Sequence, residues 1–312
     1  MKKIISLLIA SLMVTAYVSA SATTVGICQL VQHPALDLAT QGFKDALSAK
    51  MPDVTFDEQN ASGDSATCAT IVNGFVAGGV DLIMANATPA LQAAVAATGD
   101  IPILATSITD YATALDMDAA SFTGVTGINV SGTTDLAPLD GQADMITELF
   151  PEAKTVGLLY CSAEPNSLYQ VNTIRGFLEA KGMETRDFAF ADSNDVASVV
   201  QSAVDAVDVL YIPTDNTAAS VTETIAGVVI PGKLPAVTGE EGIAKGCGIA
   251  TLTISYYDIG YATGEMAYEI LANCANPAEM PIQAAPKFTK KYNAENAQEL
   301  GIAIPDGYEV IE

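Results

Sequence analysis

Tryptophan is absent from this 312-residue chain, histidine occurs once, and Lys plus Arg number 13 against 37 Asp plus Glu. Each shortage removes a class of function. One histidine, His33, rules out a His-rich zinc site. The five cysteines (Cys28, Cys68, Cys161, Cys247 and Cys274) contain no Cys-x-x-Cys pair, so a thiolate zinc site is poorly supported too. Their odd number leaves at least one unpaired unless it bridges chains, and their connectivity stays open. The scarcity of basic residues excludes nucleic acid and anionic lipid as partners, because both need clustered Lys or Arg. Neither a Gly-x-Ser-x-Gly elbow nor a Gly-x-x-x-x-Gly-Lys phosphate loop occurs. Beyond the first two dozen residues no apolar run is long enough to cross a bilayer.

What is present begins with an export signal. Lys2 and Lys3 form a positive start, Ile4 to Val18 is an apolar run, and Ala20-Ser21-Ala22 fits a small-x-small cleavage site. Residues 1–22 are therefore expected to be removed, with a retained N-terminal anchor as the alternative. Their loss leaves 11 basic residues against 37 acids, a net charge of −26. No cysteine stands directly after the apolar run; Cys28 lies inside a strand-like segment, so no lipid anchor is expected. The length exceeds one hydrophobic core, and two domains follow as the prior.

From Thr24 onward short β-rich runs alternate with helical periodicity. Val25–Leu30 reads as a strand, Ala35–Lys50 as an amphipathic helix, Asp81–Met84 as a buried strand, and Ile101–Leu104 as the next. Strands spaced by helices of this length imply right-handed βαβ units and a parallel sheet. Near residue 155 the pattern restarts: Val156–Tyr160 repeats the first strand, Leu168–Lys181 the first helix, and Asp208–Ile212 echoes Asp81–Met84. The expected fold class is α/β, two Rossmann-like lobes with parallel sheets and crossing hinges. Lobe 1 takes 23–130 plus 256–285, and lobe 2 takes 131–255 plus 286–312, with the first crossing near Ser131–Thr134. The long helical pattern Tyr256–Asn273 returns to the first lobe.

In open parallel sheets ligands bind beyond the carboxyl ends of the strands. Here those loops are polar in both halves: Gln32-His33, Asn86-Ala87-Thr88 and Thr106–Asp110 in the first; Cys161–Ser167, Pro213–Thr217 and Gly239–Gly242 in the second. Hydroxyl and amide side chains at helix starts serve as N-caps, and together with free backbone N–H groups they also hold carboxylates. The candidate ligand contacts are Gln32, Asn86, Thr88, Ser107, Asn166, Ser167, Asp215, Asn216, Glu240 and Glu241. An amino acid fits best, its carboxylate at Asn166-Ser167 or Thr88 and its ammonium at Asp215 or a glutamate. With no Trp, Tyr111, Tyr169 or Tyr256 would meet a ligand ring.

Several segments carry a family resemblance: His33-Pro34-Ala35-Leu36-Asp37, Ala87-Thr88-Pro89-Ala90, Glu164-Pro165-Asn166-Ser167, Pro213-Thr214-Asp215-Asn216-Thr217, Glu240-Glu241-Gly242 and Tyr256-Tyr257-Asp258-Ile259-Gly260. Together these resemble the ABC transporter substrate-binding family that includes tryptophan- and tyrosine-binding lipoproteins. The resemblance spans essentially the whole mature chain. It implies a type I periplasmic-binding fold, no cofactor, a permease and ATPase as partners, and an aromatic amino acid as ligand. Two departures stand out: no lipobox cysteine, which points to a free extracytoplasmic, periplasmic form or to a misassigned start, and Gln32 where relatives often carry an acid. A monomer is expected. The competing readings are a sensory receptor on the same lobes and an exported enzyme built on a Cys161–His33 thiol pair. A cytoplasmic repressor would need a basic helix-turn-helix where the export signal lies.

Overall fold

The computed structural model describes residues 22–312, so residues 1–21 of the expected export signal lie outside it. The first lobe runs β1 (Thr24–Gln29), α1 (Pro34–Lys50), β2 (Thr55–Asn60), α2 (Ser65–Gly78), β3 (Leu82–Asn86), α3 (Thr88–Ala97), β4 (Ile103–Ile108), α4 (Tyr111–Ala114) and β5 (Val130–Thr134). The second runs α5 (Leu139–Leu149), β6 (Thr155–Cys161), α6 (Pro165–Ala180), β7 (Glu184–Phe190), α7 (Val196–Ala203), β8 (Val209–Ile212), α8 (Asn216–Ser220), α9 (Thr222–Val229), β9 (Ala236–Thr238), α10 (Glu241–Gly246) and β10 (Ala250–Thr253). The chain then returns to the first lobe as α11 (Tyr256–Asn273) and β11 (Gln283–Ala284). It ends in the second as β12 (Thr289–Tyr292), α12 (Ala294–Leu300) and β13 (Glu309–Val310).

The two sheets share one topology. Sheet order is β2-β1-β3-β4-β5, extended by β11, in the first lobe, and β7-β6-β8-β9-β10, extended by β12 and β13, in the second. All pairs are parallel except β10 with β12. The duplication reaches side chains: Asp81 before β3 accepts the backbone N–H of Thr24 at the start of β1, and Asp208 before β8 accepts that of Thr155 at the start of β6. The same polar clamp fixes the same strand pair twice.

Both sheets are buried on two faces, which is why their strands read as continuous apolar runs rather than as alternation. Val25 and Ile27 share a core with Phe43, Met84, Leu104 and Met266 on one side of the first sheet. Cys28, Val72, Phe75, Ile83 and Leu91 fill the other. In the second lobe Leu158, Ile174 and Tyr211 lie on one face, and Leu159, Val200, Leu210 and Ile243 on the other.

Ser131–Thr134, where the first crossing was expected, belong to β5 and pair with β4, so the chain leaves the first sheet at Asp135. Two further crossings follow β10 and β11. α11 packs along α1 so closely that a side chain at Gly42 or Gly260 would strike the opposite backbone: a Cβ there meets Tyr257 O at 2.1 Å and Ala39 O at 2.0 Å. The helix after the second lobe is thereby seated in the first, with its first residue, Tyr256, at the junction.

Candidate functional site

The carboxyl ends of the two parallel sheets face each other, and the loops leaving them meet in a buried cleft. His33, Leu36, Ser107 and Thr109 enter from the first lobe. Asn166, Thr214, Asp215, Asn216, Ala219 and Glu240 enter from the second, and Asp135 and Tyr256 come from the crossings. Local folding explains the polar side chains. Asp215 caps α8 by accepting Ala218 N–H at 2.8 Å, and Glu240 caps α10 by accepting the N–H groups of Gly242 and Ile243. Cap and cleft coincide because each helix starts where its strand ends.

Three carboxylates, Asp135, Asp215 and Glu240, line the cleft, a fourth, Glu164, is buried behind it, and no Lys or Arg lines it among the described residues. Glu164 accepts from Asn166 Nδ2 (3.1 Å), Asn216 N (3.0 Å) and Nδ2 (2.7 Å), and Thr217 N and Oγ1 (2.8 Å each). Asp215 accepts Cys161 N at 2.6 Å and Ser167 Oγ at 2.7 Å on its second oxygen. Asp135 differs. It accepts only two hydroxyls, Thr109 Oγ1 at 3.2 Å and Tyr256 OH at 2.9 Å, one on each oxygen. Burial pushes the Asp135 carboxyl up to about 6 and that of Glu240 up to about 7. Burial and the neighbouring Glu164 charge also raise Asp215. These are directions a compensating cation would reverse.

The cleft also holds polar atoms with no partner. His33 Nδ1, Ser107 Oγ and Asn166 Oδ1 are buried without a hydrogen bond, three of only five such side-chain atoms among the described residues. Native structures leave few buried polar atoms unpaired, so their gathering in one cleft marks a place built for something else. Ser107 adds backbone strain, holding φ +58° at the end of β4, and Ala87 holds φ +88° at the end of β3.

The lobes hydrogen-bond across the cleft: His33 Nε2 stands 3.3 Å from Asn216 Oδ1, Thr109 Oγ1 3.4 Å from Thr214 Oγ1, and Gln170 Nε2 donates to Thr109 Oγ1 at 3.4 Å. The structure is thus in a closed state, with only about 10 Å³ left free in the cleft, so a ligand is admitted on opening. A larger cavity, about 500 Å³, lies on the hinge side and shares only Glu240 and Tyr256 with the cleft. None of the unpartnered atoms lines it, so the cleft is the candidate site.

Of the residues singled out from the sequence, Ser107, Asn166, Asp215, Asn216 and Glu240 line the cleft together. Ser167 stands behind Asp215 and donates to it. Asn86 is buried and spends its amide on Leu36 O and Thr40 Oγ1, and Thr88 is buried in the first turn of α3; neither lines the cleft. Gln32 is exposed, and Glu241 pairs with Lys291 at 2.7 Å on the hinge side. Tyr256 reaches the cleft; Tyr111 donates its hydroxyl to Ala105 O and Thr133 O inside the first lobe, and Tyr169 is half-buried. Cys161 is no activated thiol: its Sγ donates to Ala191 O, and burial with the nearby Asp215 charge pushes it up to about 11.

Asp135 was not anticipated. The signal was present, since it is the only charged residue between Asp118 and Asp140, in a stretch otherwise apolar, hydroxyl or glycine apart from Asn129.

With this geometry in place, comparisons with known proteins point one way. A family model described as ABC transporter substrate binding protein matches residues 24–310. The tyrosine-binding protein of Clostridioides difficile is 36% identical over 251 residues, 79% of this chain and 72% of that protein. A crystal structure of an ABC domain in complex with L-Trp, from Streptococcus pneumoniae, superposes with a TM-score of 0.88 at 34% identity, covering 93% of this chain and 100% of that one. The ligand-free, open structure of a substrate-binding protein with adhesive properties from Clostridium difficile gives 0.69 at the same identity and 93% coverage, spanning 99% of that chain. Equal identity with unequal superposition sets the lobes here nearer the arrangement of the L-Trp complex, in line with the bonds across the cleft. The architecture is that of type I periplasmic-binding proteins.

Proposed function

Since the chain belongs to the ABC transporter substrate-binding protein family, we propose that its lobes close on an amino acid, an aromatic one favoured, and present it outside the cytoplasm to a permease and its ATPase. The observation that carries this reading is a closed cleft lined by three buried carboxylates, with Glu164 buried behind them, no cation among the described lining residues and three unpartnered polar atoms. A ligand ammonium supplies the missing positive charge, and its own polar groups meet His33 Nδ1, Ser107 Oγ and Asn166 Oδ1.

Asp135 is the preferred ammonium partner. Its oxygens each accept a single hydroxyl, whereas those of Asp215 and Glu240 are engaged by backbone N–H groups as helix caps. The ligand carboxylate then faces neutral donors, the Ser107 hydroxyl among them, and Tyr256 offers a ring. Closure requires that ligand bind the closed state more tightly than the open one. The chain acts as a monomeric receptor, exported by residues 1–22, and the raised Cys161 thiol favours this over an enzyme.

A thermal-shift screen tests the reading. The mature protein, unfolded and refolded to strip carried-over ligand, meets amino acids, sugars, nucleosides and short peptides. A ligand at a hundred times its Kd adds about 2.7 kcal/mol of stability. Stabilisation by tyrosine or tryptophan supports the proposal, a shift with sugars or nucleosides alone replaces the ligand class, and no shift at all removes the receptor reading.

A further inference from the structure

Two cysteines in the first lobe meet each other rather than the cleft. Cys28 sits in β1, the strand between β2 and β3, and Cys68 sits in the first turn of α2. Both are fully buried in the same apolar cluster with Leu30, Val72 and Phe75. Their side chains lie close enough to interact, and both are free thiols in this structure. The other cysteines are occupied elsewhere or isolated: Cys161 donates to Ala191 O, Cys247 donates to Ile243 O, and Cys274 is exposed at the end of α11.

The contact is held in register by packing. A Cβ on Gly26, two residues before Cys28, would stand 2.6 Å from the Phe75 ring, so α2 lies against β1 with no room to slide. The segment between the two cysteines carries α1 and, at its N-terminus, His33 and Leu36 of the cleft.

We propose that Cys28 and Cys68 form an intramolecular disulfide that staples α2 to β1 and closes a loop around α1. The oxidant is a disulfide, by class a thiol–disulfide exchange partner. One thiolate attacks it to give a mixed disulfide and one released thiol. The second thiolate then displaces the other, so the protein's two thiols lose two protons and two electrons while the oxidant's S–S bond becomes two thiols. Because both sulfurs are buried in the folded lobe, the exchange occurs during folding, before α2 docks.

Closing a loop of about 40 residues constrains the unfolded chain enough to raise the melting temperature by roughly 5–10 °C. It also ties the loop that presents His33 to the sheet behind it.

The test refolds the purified protein from denaturant in oxidised and reduced glutathione, blocks free thiols by alkylation and digests it with trypsin. Cleavage after Lys44, Lys50 and Lys154 puts Cys28 and Cys68 on separate peptides. The expected result is one linked species, lighter than the sum of the two peptides by two hydrogens and separated by dithiothreitol. The oxidised protein should also melt above the reduced one, and the double variant Cys28→Val, Cys68→Ala should show no such gap. Alkylation of both Cys28 and Cys68 in protein refolded with oxidant overturns the proposal. So does a link between Cys161 and Cys247 in their place, or a Cys28–Cys68 link with no rise in melting temperature.

Discussion

His33 Nε2 and Asn216 Oδ1 meet at 3.3 Å across the two lobes, and the direction of that hydrogen bond is fixed by a third residue. Asn216 Nδ2 donates to Glu164 Oε2 at 2.7 Å, which leaves Oδ1 as acceptor and makes His33 Nε2 the donor. Burial lowers the His33 pKa and so favours the neutral ring, in which Nε2 carries the proton and the unpartnered Nδ1 is an acceptor. His33 therefore reads closure with one nitrogen and is free to accept from a ligand with the other. Replacing it, His33→Ala, leaves Asn216 Oδ1 unpaired in the closed state, a cost of about 1–3 kcal/mol. The dissociation constant for tyrosine or tryptophan should rise by roughly tenfold or more, with scattering showing a larger open fraction at equal ligand. An unchanged constant by calorimetry takes His33 out of the closure.

The carboxylates of the cleft separate by what else they do. Asp135→Asn keeps the shape, removes a charge with no protein cation to balance it, and should weaken amino-acid binding at least tenfold, about 1.4 kcal/mol. The unliganded protein should melt no lower. Asp215→Ala also strips the α8 cap and the acceptor of Cys161 N–H and Ser167 Oγ, so it should lower the melting temperature as well as the affinity. Melting and titration of the two variants side by side distinguish the roles. Equal loss of stability in both contradicts the assignment of Asp135 to the ligand.

Much of this was legible in the sequence, and the boundary is physical. Strand and helix order follow from local periodicity, and the doubling of the fold shows in Asp81 and Asp208, which precede matching strands and clamp matching N-termini. The loops at the strand ends were legible because cap residues are local signals. What those signals leave open is direction. Asn86 and Thr88 look like Asn166 and Thr214 in sequence, yet Asn86 turns into α1 while Asn166 turns into the cleft. Glu240 and Glu241 are neighbours, but one is a buried cap and the other forms a half-buried ion pair with Lys291 on the hinge side. Asp135 stands on a crossing, and the meaning of a crossing residue depends on both lobes at once. The Cys28–Cys68 contact likewise needs the packing of α2 on β1.

Ligand binding should strengthen as pH rises from 5 to 8. In the unliganded cleft burial holds Asp135 near 6 and Glu240 near 7, so below these values the carboxyls are protonated and offer an ammonium no charge. An ammonium favours the ionised form, lowers these pKa values and expels a proton on binding. The sign for the free protein is opposite. A raised carboxyl pKa means that the folded state holds more protons than the unfolded chain above about pH 4, so this part of its stability is lost as pH rises through 6 and 7. His33, with a depressed pKa, adds stability above its ordinary value that is lost as pH falls. The melting shift produced by tyrosine or tryptophan should therefore grow steadily from pH 5 to pH 8. A flat profile rules out the coupling of these carboxyls to the ligand.

Seating α11 against α1 joins the stability of the first lobe to the cleft. At Gly260 an added Cβ stands 2.0 Å from Ala39 O, backbone against backbone, where no side-chain rotation relieves it. Gly260→Ala should push the helices apart and cost about 1–3 kcal/mol, the usual penalty of overpacking. Four residues earlier on the same helix, Tyr256 donates its hydroxyl to Asp135 Oδ2 at 2.9 Å, and Tyr257 donates to Asp45 Oδ2 at 3.0 Å. A displaced helix moves Tyr256 off Asp135, so affinity should fall along with melting temperature. The control is Gly74→Ala in α2, where an added Cβ meets nothing within 4 Å and where alanine favours the helix by roughly 0.5–1 kcal/mol. That variant should melt at or above the parent and bind unchanged. Loss of stability at Gly260 without loss of affinity would show that the first turn of α11 holds Tyr256 in place independently of the helix behind it.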